Sequence, residues 1–205
     1  GRVIDTTPPG GIEYWARLAK VIDNNPVQEH DRFLMAMLKP LGIEKGKPFE
    51  PDSRQTAILE EAAVLGDAMA RNVMYENSQR KSDPTPFPGT SWEFVILVKP
   101  SQETENYSQL DERLRYTYGA IYLSPALGVM KPGPGGNYMQ TFRDKDGNHF
   151  DGGKSYRLHL PANPPAAAFW SLTAYDSATR SMVQNPTNDA AHASYDELQT
   201  NADGS

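Results

Sequence analysis

The sequence predicts an α+β protein in which an N-terminal helical region packs on an antiparallel, jelly-roll-like β-sandwich. Apolar residues recur at helical spacing from Gly11 to about Tyr122. From Gly133 onward, short alternating runs are punctuated by Gly, Pro and Asp-Gly, the pattern of an all-β domain rather than a parallel sheet. The segment GVMKPGPGGN separates the two patterns. The expected organisation is therefore a mainly helical region over 1–130 with one central strand at 92–99, followed by a β-sandwich domain over 131–205.

The elements follow in chain order. In GIEYWARLAKVIDNNP, Ile12, Trp15, Leu18 and Val21 share one helical face, and Pro26 closes the element. A short helix over 28–38 puts Phe33, Leu34, Met37 and Leu38 inward and His30 on the polar side, and ends before Pro40. The clearest helix opens at PDSRQ. Asp52 or Ser53 caps it, Gln55 stands at capping-box spacing from Asp52, and Ile58, Ala62, Leu65, Met69 and Val73 form one stripe. SWEFVILVKP is a strand, and a further helix over 110–123 carries Leu114, Tyr118, Ile121 and Tyr122. The β part reads as strands at 138–143, 156–160 and 168–176, with a shorter one at MVQNP.

Composition removes several function classes. A chain of 205 residues buries a core without metal or disulfide staples, and it contains no Cys, so thiol nucleophiles and thiolate metal sites are excluded. The net charge of −6, with Lys and Arg scattered, argues against a nucleic-acid groove or an anionic membrane surface. The longest apolar runs fall far short of the about 20 residues that span a bilayer. No secretory h-region follows Gly1, and the missing initiator Met reads as a processed, tagged or partial chain. Cysteine usage leaves the compartment open; the reading leans to periplasm or secretion. No motif specifies a cofactor.

One stretch resembles a site. DKDGN at 144–148 begins like a calcium loop, but from Asp144 the sixth residue is His149 and the twelfth is Ser155, where an EF-hand needs Gly and an acidic residue. Asp-Gly between two alternating runs is a hairpin signal. A turn is therefore expected, with a weak cation site of Asp144, Asp146, Asn148 and Asp151 as the competing reading, and His149 beside it.

The DxxGxxFDG turn, the YRLHLP run, the two prolines before AFWSLTAYD, the NP of VQNP and the final NADGS together resemble a bacterial domain of unknown function, number 1214, over about 133–205. Residues 11–125 resemble the helical region joining it to a preceding domain of unknown function, number 1254. The resemblance implies a jelly-roll-like domain with helices packed on it, and it carries no general catalytic motif. Such domains continue past NADGS into further strands, so this chain is expected to be cut at both ends. The missing strands at the open β edge are expected from another fragment of the same precursor or from its further residues, and a companion fragment or a homo-oligomer is the expected partner.

Neither a G-x-S-x-G elbow, a P-loop nor an H-E-x-x-H helix occurs, and GPGG at 133–136 lacks the following Lys-Ser/Thr. Candidate chemistry rests on His192, which has Asp189 and Asp196 close in sequence, and on strand residue His159. Candidate ligand contacts are Arg143, Arg157, Tyr138, Tyr156, Trp170 and Tyr175, aromatic and Arg residues on neighbouring strands. Arg157 and His159 on one face would stand ~7 Å apart and suit an anion; alternatively Arg157 pairs with Asp176 and the aromatics are core. The functional expectation is a cleft that binds a small molecule or glycan. A hydrolase or lyase using His with a carboxylate or a weakly held divalent cation is the alternative.

Overall fold

A cap decides where the longest helix starts. Asp52 accepts a hydrogen bond from the Gln55 backbone N–H at 2.8 Å, and the Gln55 side chain accepts one from the Asp52 N–H at 3.2 Å, the reciprocal capping box read from the sequence. A computed structural model of the chain describes residues 8–76, 86–95, 102–121, 138–187 and 189–205. Among these are four helices: α1 (Gly11–Asn24), α2 (Arg32–Leu38), α3 (Ser53–Tyr75) and α4 (Leu110–Tyr116). The strands are β1 (Glu93–Phe94), β2 (Met139–Gln140), β3 (Ser171–Thr173) and β4 (Ala191–Ala193). They form two antiparallel pairs, β1 with β2 and β3 with β4. The two stacked sheets of a sandwich are not among the described elements.

The chain divides into two units, one of Gly1–Pro86 with Glu93–Gln140 and the other of Phe87–Trp92 with Thr141–Ser205. In the first, α1 lies on α3 and the Trp15 indole N–H donates to the Leu59 carbonyl at 2.7 Å. Ile22, Ile43, Leu59, Ala70 and Met74 are buried in it. The C-terminus of α1 has no basic residue of its own. Lys45 supplies one from another segment, its ammonium donating to the carbonyls of Ile22, Asp23 and Asn25 at 3.2, 2.6 and 3.0 Å.

Helical faces differ from the expectation in three places. Val21 is exposed and Ile22 buried on α1; Phe33 and Met37 on α2 face solvent; and on α3 the buried positions are Leu59, Ala70 and Met74, whereas Ile58, Leu65 and Met69 are exposed. Apolar residues occupy both 58–59 and 62–65, so helical spacing alone cannot choose between adjoining faces. The short helix forms over 32–38, preceded by a 3₁₀ turn at Glu29–Asp31, and His30 is exposed as expected.

After α4 the backbone widens into a π turn over Thr117–Ile121, and a Cβ added at Gly119 would lie 2.5 Å from Met74 Cε. That close approach is why the turn carries a glycine; Tyr122 and Leu123 lie outside the described residues. The first unit also holds a charged interior. Arg115 and Glu93 are 2% and 1% exposed and form a direct ion pair. The Arg115 guanidinium also donates to the Val73 carbonyl, and the Gln140 amide donates to Glu93 Oε1 at 2.9 Å. This ties α3, α4, β1 and β2 together. Glu93 is thus a core residue, and the 96–99 part of the expected strand is outside the described residues.

The second unit is turn-rich. Of the strand expected at 138–143, only Met139–Gln140 forms, in the first unit, and Arg143 makes an isolated bridge with His149. The 156–160 run, expected as a strand, makes no ladder among the described residues, because alternation supplies faces but not a neighbour to bond. The 168–176 run is realised as β3, with a bridge from Tyr175 to Met182 where the shorter strand was expected.

Candidate functional site

The Asp-Gly stretch is a hairpin turn. Asp144 Oδ1 accepts from the backbone N–H groups of Asp146 and Asn148 at 2.9 and 3.0 Å, and Gly147 takes φ +83°, a conformation glycine adopts without strain. Burial pushes the Asp144 carboxyl up, but hydrogen bonds from Asn148 and Asp146 and the Lys154 charge outweigh it and hold it below its ordinary value. Arg143 serves the same turn, donating to the Gly147 carbonyl at 2.8 Å. Among the described residues, no group of three His, Asp or Glu side chains stands as a metal cluster.

The β3–β4 hairpin assembles more of the predicted residues than any other element. Its register sets Leu172 opposite His192. The ladder continues through the Ser194 N–H, which donates to the Trp170 carbonyl at 2.9 Å. Alternation therefore places Trp170, Leu172 and His192 on one face, with Trp170 and His192 as diagonal neighbours. The imidazole sits between two carboxylates: Nε2 is 3.8 Å from Asp189 Oδ2, and Nδ1 is 3.9 Å from Asp196 Oδ2.

The Asp196 carboxylate and the Asp189 backbone are held in place. Asp196 Oδ2 accepts from the Ala193 N–H at 2.7 Å. Asn185, the Asn of VQNP, braces the loop carrying Asp189: its amide donates to the Asp189 carbonyl at 2.8 Å, and its Oδ1 accepts from the Asp189 N–H at 3.0 Å. Side-chain exposure of His192 is 56%, so the arrangement is open to a solute. Two carboxylates facing one imidazole give a cluster able both to donate and to accept hydrogen bonds.

The other predicted residues are dispersed. Tyr138 belongs to the first unit and is largely exposed. Tyr156 packs edge-on against Phe150 at 4.8 Å, and its hydroxyl accepts from the Asp151 N–H at 2.8 Å. Arg157, His159 and Tyr175 face solvent, and the charge of His159 acts on Asp203. Asp176, proposed as the partner of Arg157, instead accepts hydrogen bonds from Ala178 and Thr179 in its own turn. Sequence reasoning missed the Asn185 brace and the tilted ring pair of Phe169 and Tyr195, 6.0 Å apart at the same hairpin. The NP dipeptide was the signal for the first; nothing in the spacing signalled the second.

Residues 135–205 match the family described as "Protein of unknown function (DUF1214)", so the C-terminal part of the chain is a DUF1214 domain and the hairpin lies within it. A search of curated proteins returned no match.

Proposed function

We propose that the DUF1214 domain is a binding module for a neutral, hydroxyl-rich small molecule or glycan, gripped on the Trp170, Leu172 and His192 face of the β3–β4 hairpin. The observation that carries this reading is the exposed imidazole flanked by braced Asp189 and Asp196, diagonal to an indole. An aromatic ring stacks on the apolar face of a sugar, while an imidazole between carboxylates donates to and accepts from its hydroxyls. Residues 141–205 carry five Lys or Arg against eight Asp or Glu, which favours a neutral over a polyanionic ligand. Tyr156, Arg157, His159 and Tyr175, solvent-facing in the same unit, are proposed as secondary contacts. Arg143 and Tyr138 are left out, the first because it braces its own turn and the second because it belongs to the other unit. A jelly-roll-like architecture for the domain, and a helical region like that preceding such domains, belong to the same reading.

The alternative is a hydrolase or lyase with His192 as general base and Asp189 or Asp196 orienting it. It is the weaker reading, because a base and its orienter work at about 2.6–3.2 Å in a site that excludes water, and this imidazole is solvent-exposed. The test is titration of the full chain with cello-, malto- and chito-oligosaccharides, followed by tryptophan emission and calorimetry. Saturable binding to one series, lost in both Trp170→Ala and His192→Ala, supports the module. Absence of binding to all three, or binding that survives both substitutions, refutes it; cleavage of a bound series that stops in His192→Ala selects the enzyme.

A further inference from the structure

Asp-Gly dipeptides stand at 146–147, 151–152 and 203–204, all in the second unit. In such a pair the glycine nitrogen can attack the aspartate side-chain carboxyl, because no Cβ shields that nitrogen and the backbone turns freely about it. Ring closure to a succinimide needs a carboxyl folded back over the next peptide. It also needs a glycine N–H that is not committed to a hydrogen bond.

The fold closes two of these sites. The Gly147 N–H donates to the Asp144 carbonyl at 3.1 Å, the Gly204 N–H donates to the Asn201 carbonyl at 2.9 Å, and each glycine is fixed at φ +83°. The Asp203 carboxylate is held as well, accepting from the Ser205 N–H and hydroxyl at 3.0 and 2.7 Å. At 151–152 the arrangement is reversed. The Lys154 N–H donates to the Asp151 carbonyl at 3.0 Å, so Asp151 opens a β-turn and the Gly152 N–H makes no hydrogen bond among the described residues. Asp151 Oδ1 accepts from the Gly153 N–H at 2.9 Å, which folds the carboxyl back over the Gly152 peptide. The Asp151 side chain is 57% exposed, so water reaches it.

From this we infer that Asp151 is a site of isoaspartate formation, selected by the fold from among the Asp-Gly pairs. The Gly152 nitrogen bonds to Asp151 Cγ as the carboxyl C–OH bond breaks, and the amide proton leaves with that hydroxyl as water. Water then opens the succinimide at the Asp151 main-chain carbonyl, and the peptide link runs through Cβ and Cγ. No oxidant or cofactor enters, and the mass is unchanged. The carbonyl that closes the turn becomes a free carboxylate outside the backbone, and the link from Phe150 to Gly152 gains a methylene. The Asp151 N–H, which donates to the Tyr156 hydroxyl at 2.8 Å, sits at the start of that longer link, so the edge-on contact of Phe150 with Tyr156 is disturbed too. The inference is independent of the β3–β4 hairpin.

The test is incubation of the full chain at neutral pH and physiological temperature, with and without urea, followed by tryptic peptide mapping. Cleavage after Lys145 and Lys154 releases residues 146–154, which carry Asp146 and Asp151 together. Isoaspartate shifts the retention of this peptide, and electron-transfer fragmentation assigns it to one residue. In the folded chain the isomer accumulates at Asp151 while Asp146 and Asp203 stay intact, and in urea all of them convert at comparable rates. Gly152→Ala meets open space for its Cβ, keeps the fold and loses the Asp151 isomer. The proposal is overturned if Asp151 stays intact in the folded chain, or if Asp146 or Asp203 converts as fast. A preference for Asp151 that persists in urea, or an isomer that forms undiminished in Gly152→Ala, also overturns it.

Discussion

Removing one member of the buried Arg115–Glu93 pair is expected to be the most damaging conservative substitution in the first unit. With Arg115 at 2% exposure and Glu93 at 1%, neither charge can be rehydrated by a side-chain movement alone. Arg115→Met leaves the Glu93 carboxylate without its main cation in a low-dielectric interior and strips the Val73 carbonyl of a donor. Breaking a buried pair from one side costs about 3–5 kcal/mol, and Glu93→Leu belongs in the same range, since it strands the guanidinium and takes the acceptor from Gln140. Replacing both charges removes the uncompensated ion altogether. The Val73 carbonyl and the Gln140 amide then lose partners without leaving a buried charge, so the double variant should cost about 2–4 kcal/mol, well short of the sum of the two singles. All four described helices lie in the first unit, so urea denaturation followed by far-UV ellipticity reads this unit selectively. Single substitutions costing less than about 1 kcal/mol, or a double variant whose cost equals the sum, would show that the pair is not a coupled structural joint.

Three further outcomes are expected. Lys45→Met should lower stability by about 1 kcal/mol, seen in the urea midpoint, because three carbonyls at the end of α1 lose their cation; Lys45→Arg should recover part of that loss. Gln102 is 3% exposed, has no hydrogen-bond partner for either amide atom among the described residues and sits at φ +56°, so Gln102→Leu should raise stability by about 1–2 kcal/mol by removing buried polar atoms at similar volume. Thermal melts of the two proteins decide this, and a lower melting temperature for the variant would contradict it. The Asp144 carboxyl is held below its ordinary value, so the folded turn binds its proton less readily than the unfolded chain. Its stabilising contribution is complete above the ordinary carboxylate range near pH ~4 and is lost as pH falls through the lower, folded value. Amide resonances of Asp146 and Asn148, followed by NMR down an acid titration, should move together there and stay fixed in Asp144→Asn.

Local signals in the sequence were read more accurately than distant ones. The Asp52–Gln55 capping box and the Asp146–Gly147 turn depend on residues within a few positions of each other, and both are present. The inward face of α3 was read one residue out of phase, because two overlapping apolar stripes share that helix. The run at 156–160 alternates well and still makes no ladder, since a strand needs a partner that its own residues do not encode. The burial of Glu93 is not legible in the sequence, because the Arg115 that pairs with it lies 22 residues away with no periodicity linking them. Proximity of Asp189 and Asp196 to His192 is visible in the sequence; their approach to the two ring nitrogens, at 3.8 and 3.9 Å, follows from the hairpin and from Asn185.

The way the two units share the chain has a consequence for how they come off the ribosome. The first unit is completed by Gln140, which pairs with Glu93 across 47 residues, while the second takes Phe87–Trp92 from upstream of Glu93 and holds it through Ser91, whose hydroxyl donates to the Asp144 carbonyl. Neither unit is therefore a contiguous stretch that can be finished before synthesis of the other begins. Maturation of both waits on residues beyond 138, and the early helices must persist through that interval as a partly formed nucleus. Dividing the gene at the start of the family match would separate Phe87–Trp92 from the residues they join and leave Glu93 without Gln140, so the coding unit for either half is the whole interleaved segment.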